Sequence, residues 1–166
     1  MTAVAALALV AALAIAGCGS SSNSGGAYGG GQSTKSTSTE SSGSEAAAIV
    51  AVASVPKLGR ILVDSEGFTL YDFHKDKGGK SACYGACASV WPPLTTEGAP
   101  QADEGAATSK LGTTERKDGT TQVTYAGHPL YTYTADTKPG EANGNDFDSY
   151  GAEWYALLPS GEEAEG

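Results

Sequence analysis

Gly67-Phe68-Thr69-Leu70-Tyr71-Asp72-Phe73-His74-Lys75-Asp76 returns later in the chain as Gly127-His128-Pro129-Leu130-Tyr131-Thr132-Tyr133-Thr134-Ala135-Asp136, at an offset of 60 positions. Both copies read Gly-x-x-Leu-Tyr-x-aromatic-x-x-Asp. The likeness extends downstream, because Trp91 follows Tyr71 by 20 residues and Trp154 follows Tyr131 by 23. An internal repeat has to be settled before any other feature, since it fixes what one structural unit is. The folded part of this chain is therefore two variants of one unit, repeat 1 over about residues 59–95 and repeat 2 over about 113–161.

Local chemistry gives the unit its character. Arg60-Ile61-Leu62-Val63 and Phe68-Thr69-Leu70-Tyr71-Asp72-Phe73 are β-branched and aromatic runs on either side of Asp64-Ser65-Glu66-Gly67, a turn-forming cluster, and predict a β-hairpin. In the second copy Gln122-Val123-Thr124-Tyr125 and Leu130-Tyr131-Thr132-Tyr133 flank Ala126-Gly127-His128-Pro129. Ahead of them Thr113-Thr114-Glu115-Arg116 leads into Lys117-Asp118-Gly119-Thr120, an Asp-Gly hairpin turn. Glu153 to Leu158 is a last strand. Ser81 to Val90 is the one short helix predicted, ended by Trp91-Pro92-Pro93, and Ala99 to Ala107 reads as a loop. The expectation is a mainly β domain over residues 56–161, a small antiparallel sheet or sandwich built from two related hairpin units. Side chains alternate along a strand, so Tyr71 and Phe73 share one face, Tyr131 and Tyr133 do the same, and Leu70 and Leu130 turn the other way. Such a sheet can be covered on both faces, with Trp91 and Trp154 as its lids.

Outward from the repeats, composition changes. The chain has 166 residues, enough for one compact domain, yet it holds 23 glycines and only 17% charged residues, so part of it cannot bury a core. That part is Ser20 to about Ser44, Gly, Ser and Thr with scattered Asn, Gln, Lys and Glu, which predicts a disordered tether. From Cys18 to Glu45 such a chain has a root-mean-square span of roughly 30 Å. Residues 18–55 are assigned to the lipidated Cys and this linker, with Glu45 to Val55 open between a helical turn and an extended lead-in, and residues 162–166 form an acidic tail. A net charge of −9 excludes the electrostatic footprint of a nucleic-acid binder.

Ala3 to Ala16 is an uncharged aliphatic run, shorter than the ~20 residues of a membrane span, and reads as the apolar region of a signal peptide covering residues 1–17. It ends in Leu13-Ala14-Ile15-Ala16-Gly17-Cys18, which resembles the lipobox of bacterial lipoproteins. The resemblance implies cleavage before Cys18 and a diacylglycerol on its sulfur, giving palmitate-type anchoring to the cell membrane with the domain on the extracytoplasmic side. No Lys or Arg precedes the apolar run, so either the start lies upstream or the signal is atypical. With Cys18 set aside, the three cysteines leave the pair Cys83 and Cys87, and an exported chain sits where disulfides form. A helical i, i+4 pair lies within disulfide reach. The alternatives need another pattern: two residues between redox cysteines, a His after the second for haem, four ligands for structural zinc.

Taken together, the doubled Tyr-x-aromatic-x-x-Asp, the lipobox, and Cys83-x-x-x-Cys87 leading into Trp91-Pro92-Pro93-Leu94 resemble a family of predicted bacterial lipoproteins named after that motif, a secreted repeat of unknown function. Arg116-x-Asp118-Gly119, Gln122-Val123-Thr124-Tyr125-x-Gly127-x-Pro129-Leu130-Tyr131 and the closing Trp154-Tyr155 belong to the same likeness. It implies export and lipidation and carries over no catalytic residue.

The candidate binding residues are those of the motif: Tyr71, Phe73 and Asp76, with Tyr131, Tyr133 and Asp136. Asp76 and Asp136 each precede turn residues and so suit the capping of backbone N–H groups. The alternative is that repeat symmetry brings both carboxylates to one cleft beside Tyr71 and Tyr131, as a cation or polar-ligand site. His74 and His128 occupy different places in the two copies and read as ordinary surface histidines. Asp146 and Asp148 fail the spacing of a calcium loop and lack its bidentate Glu, so they read as part of a solvated loop. The expectation is a non-enzymatic, lipid-anchored envelope protein without cofactor or metal, a binding or structural module for an unknown envelope ligand or protein partner. Two alternatives stand beside it: a redox accessory holding haem or copper through His74, His128 or the tyrosines, and an enzyme on envelope polymers using Asp76 and Asp136.

Overall fold

The computed structural model describes residues 47–166. The signal peptide, Cys18 and most of the tether lie outside the described residues. Among the described residues the chain is mainly β, with nine strands and one short α-helix. The strands are β1 Ile49–Val55, β2 Gly59–Asp64, β3 Tyr71–Phe73, β4 Gln101–Ala102, β5 Leu111–Glu115, β6 Thr121–Tyr125, β7 His128–Pro129, β8 Phe147–Ser149 and β9 Ala152–Ala156; α1 is Ala86–Val90. They form three small sheets, ordered β2-β1-β4, β3-β9-β8 and β5-β6-β7, antiparallel except where β4 runs parallel to β1.

Alternation explains β1. In Ile49-Val50-Ala51-Val52-Ala53-Ser54-Val55 the buried Val50 and Val52 share the face an extended chain gives alternate residues and enter one core, while Val55, buried on the opposite face, enters the other. Its register on β2 runs from Val50 opposite Asp64 to Val55 opposite Gly59. The open choice for residues 45–55 is thus an extended strand from Ile49 onward, and the domain begins before residue 56. The segment 99–107, expected as loop, contributes β4 to the same sheet. The tail is also part of the domain: Leu157 bridges Glu163, and the Ala164 N–H donates to the Ala156 carbonyl at 2.8 Å. Ala164 is 1% exposed, and the acidic composition of residues 162–166 hid this small apolar anchor.

The helix is shorter than the sequence predicts. Gly85 sits at its N-terminus with φ 60 and ψ −124, outside helical space, so residues 81–84 form an irregular loop instead. Cys83 and Cys87 still pair, with Cα atoms 5.3 Å apart. The turn between β6 and β7 has Ala126 and Gly127 at φ 49 and 89, the left-handed pair that a two-residue hairpin requires.

The repeats are joined by exchange. In repeat 1 three backbone N–H groups close a ring: Leu62 donates to Leu157 (2.7 Å), Leu157 to Leu70 (3.2 Å) and Leu70 to Leu62 (3.0 Å). In repeat 2 the ring is Val123 to Leu94 (2.8 Å), Leu94 to Leu130 (2.9 Å) and Leu130 to Val123 (3.0 Å). Leu157 comes from the end of repeat 2 and Leu94 from the end of repeat 1, so each unit is completed by the other's final segment. Between the rings Tyr71 and Tyr131 form a hydrogen-bonded antiparallel pair, N–H to carbonyl in both directions at 2.8 and 3.0 Å.

The alternation read from the sequence sorts two cores. Leu62, Leu70, Leu130 and Leu157 join Val50, Val52, Val123 and Tyr125 in a mainly aliphatic core, and Tyr71, Phe73 and Tyr131 join Trp91, Trp154, Val55 and Ile61 in a mainly aromatic one, with Tyr133 packed against it. There Phe73, Trp154, Trp91 and Tyr133 form one column, each neighbouring pair 4.0 Å between centroids and within 15° of parallel. Each Trp again stacks on the aromatic residue of the other repeat.

Candidate functional site

Four of the six motif residues singled out in the sequence, the two Tyr-Asp sets, are paired across the repeats. The Tyr71 hydroxyl donates to Oδ2 of Asp136 at 2.6 Å, and the Tyr131 hydroxyl donates to Oδ2 of Asp76 at 2.7 Å. The other oxygen of each carboxylate accepts a backbone N–H from the loop that follows it, Ala82 on Asp76 at 2.7 Å and Asn143 on Asp136 at 2.8 Å. Burial, the carboxylate beside it and the hydrogen bond to it all push the Tyr71 hydroxyl well above the usual phenol range, and Tyr131 is raised mainly by burial with the charge of Asp76. These phenols stay neutral and donate. Phe73 and Tyr133 are the ends of the aromatic column. The motif is thus a joint between the two units.

The two carboxylates part company in their surroundings. Asp136 is buried, whereas Asp76 lines a cleft of about 340 Å3. Burial pushes Asp76 up to about 6, against the hydrogen bonds from Ala82 and Tyr131, and the charge of Asp72 adds to the rise. Asp136 is not among the cleft's lining residues, so the pair does not share it.

What meets in the cleft is a different set. Asp72 on β3, His74 after it, His128 on β7 and Glu163 of the tail all line it. Nδ1 of His128 lies 3.1 Å from Oδ2 of Asp72, and the hydrogen bond to that carboxylate raises the imidazole pKa above its ordinary value. Oδ1 of Asp72 is buried with no hydrogen-bond partner among the described residues. Nε2 of His74 is 2.7 Å from Oε1 of Glu163, and its Nδ1 is 3.4 Å from Oε2 of Glu153. One ligating atom from each of Asp72, His74 and Glu163 falls within 4.8 Å of the others, so an imidazole and two carboxylates converge at a spacing that a single metal ion can span.

The structure therefore brings His74 and His128 to one cleft although they stand at unmatched repeat positions, and it adds Asp72 and Glu163, which sequence reasoning missed. A signal was present. Under the 60-residue offset Asp72, His74 and His128 stand where the other copy has Thr132, Thr134 and Phe68. The residues both copies share build the joint; those three do not.

Other sequence candidates have local partners. Asp146 accepts the Tyr155 hydroxyl at 3.0 Å, and exposed Asp148 lies on β8. Arg116, noted only as part of a motif, is buried and donates to Ser81 Oγ, Gln122 Oε1 and the Cys83 carbonyl, each at 2.8 Å. It clamps the cysteine loop of repeat 1 from the hairpin of repeat 2.

Compared with known proteins, residues 52–95 and 112–157 match the model of a family described as a secreted repeat of unknown function. No curated protein and no solved structure matches the chain.

Proposed function

The chain belongs to this family of secreted repeats of unknown function, and on that premise we propose that it is an exported envelope protein, lipid-anchored through Cys18, whose two-repeat domain is a non-catalytic binding module. Its ligand seat is the cleft between the repeats. The observation that carries this reading is the buried Oδ1 of Asp72, a residue that lines that cleft, without a hydrogen-bond partner among the described residues. A carboxylate oxygen without a partner in a buried position costs stability, and a ligand that meets it offsets the cost. The Gly-Cys end of the apolar run supports the anchor, and two acyl chains hold a protein on a bilayer where one does not. The family description supports export.

The full chain, produced in a bacterial host able to export and lipidate, tests both halves. Fed palmitate should label the membrane fraction, and Cys18→Ser should abolish the label; an unlabelled, freely soluble product overturns the anchor. A thermal-shift screen of the processed protein in detergent, against metals, haem, quinones and envelope glycans, tests the seat. At 100 times its dissociation constant a ligand stabilises by ~2.7 kcal/mol, a shift of several degrees. A shift lost on Glu163→Gln supports the seat, and a silent screen overturns it.

A further inference from the structure

We propose that the cleft binds one first-row divalent transition-metal ion, held by a carboxylate oxygen of Asp72, Nε2 of His74 and a carboxylate oxygen of Glu163. The inference rests on the cleft being the ligand seat and names what occupies it. Three independent observations converge. The donor atoms come from three separate stretches of chain yet lie within 4.8 Å of one another. Asp72 carries a buried oxygen that no group among the described residues satisfies. And the set is confined to one face of a two-repeat frame: at the matched positions the other copy carries Thr132 and Thr134, so the fold itself does not require Asp72 or His74.

The groups behind the donors are arranged as metal sites need them. Oε2 of Glu153 lies 3.4 Å from Nδ1 of His74, placed to accept the Nδ1 proton once Nε2 coordinates, and His128 steadies Asp72 through Oδ2. In the metal-free protein Nε2 of His74 and Oε1 of Glu163 share a hydrogen bond; on binding, the ion takes the place of that proton, which leaves to solvent. Two carboxylates and a neutral imidazole balance a 2+ charge. An imidazole in a mixed nitrogen and oxygen set suits zinc and its neighbours, whereas Ca2+ wants six to eight oxygens and Mg2+ keeps its waters. The open side of the cleft leaves coordination positions for water or for a group on a partner.

Tag-free processed protein, stripped with a chelator and dialysed, is titrated with Zn2+ by calorimetry and with Co2+ by visible absorbance. The expected result is one ion per chain, a cobalt spectrum displaced by zinc, and no comparable uptake of Mg2+ or Ca2+. Glu163→Gln and His74→Gln should each weaken binding at least tenfold, and His128→Gln, which acts through Asp72, by about 10- to 100-fold. Glu141→Gln, on a loop remote from the cleft lining, should leave uptake unchanged; circular dichroism confirms that each variant folds. Absence of stoichiometric uptake, or uptake indifferent to both Glu163→Gln and His74→Gln, overturns the ion. If a compound other than a metal then shifts the wild type but not Glu163→Gln, the cleft remains the seat and the ion alone falls. If nothing does, both fall.

Discussion

Tyr71 and Tyr131 make the same hydrogen bond in matched positions, but the carboxylates they meet differ in access to water. Asp136 is 5% exposed, and Asp76 is only half-buried at the wall of the cleft. Removing a hydroxyl strands the carboxylate, at a cost set by how completely water is excluded. Tyr71→Phe should therefore cost about 2–3 kcal/mol, and Tyr131→Phe about 1 kcal/mol, because water reaches Asp76 in place of the phenol. Urea denaturation of the two variants checks the order, and equal losses would contradict it. A second residue-scale prediction concerns pH. The Glu141 carboxylate accepts the Thr137 N–H at 2.7 Å, and this bond holds its pKa below the ordinary range. The unfolded chain binds that proton more readily, so the stabilisation is present above the unfolded pKa and disappears as pH falls through the folded one. Glu141→Gln should be less stable than wild type at neutral pH, with the gap closing on acidification. Thermal melts of both proteins across the acid range measure it, and a gap independent of pH would assign the effect to something other than the charge.

At the scale of elements, the aromatic column holds the two units in register. Gly144 lies against it, where an added Cβ would stand 2.6 Å from Cη2 of Trp91 and 3.0 Å from Cδ1 of Tyr133. Both rings are tied into the stack, so the column must shift, and Gly144→Ala should cost about 1–3 kcal/mol as overpacking. Near-ultraviolet circular dichroism should show the coupled Trp91–Trp154 signal altered, while a control Gly119→Asn at an open left-handed turn keeps it. Much at this scale was legible. Period-two alternation in Leu70-Tyr71-Asp72-Phe73 sorts aliphatic from aromatic faces, and the similar spacing of each Trp from its Tyr, 20 and 23 residues, marks both Trp as matched parts of the repeat, though not that each stacks on the other copy's aromatic. What stayed hidden has physical reasons. Gly85 cuts α1 short because its backbone takes a conformation no sequence pattern around it announces. Composition makes Glu163 part of an acidic tail, since its anchor, Ala164, is one small residue. Asp72, His128 and Glu163 meet only after folding, and the lone trace they leave is that two of them break the repeat.

The exchange of final segments governs the whole molecule. Leu94 closes the backbone ring of repeat 2 and Leu157 that of repeat 1, while the Tyr-Asp bonds and the Trp stacks cross in the same sense. A single repeat is left with an open ring, an unpaired carboxylate, an unpaired phenol, and an aromatic face without its cover. Each of these defects costs about 1–3 kcal/mol, and together they are comparable to the ~5–15 kcal/mol by which a domain is stable. The two repeats are one cooperative unit, which also explains why the cleft lies where residues of both meet. Cleavage of the chain in the exposed loop at Glu104-Gly105 should therefore yield two fragments that are each unfolded alone. Mixed in equal amounts they should recover the aromatic circular dichroism of the intact protein, in proportion to concentration, because the ring, the Tyr-Asp bonds and the column all reform between them. A cooperative melting transition in either isolated fragment would show that the repeats fold independently and that the exchange is a contact between finished domains.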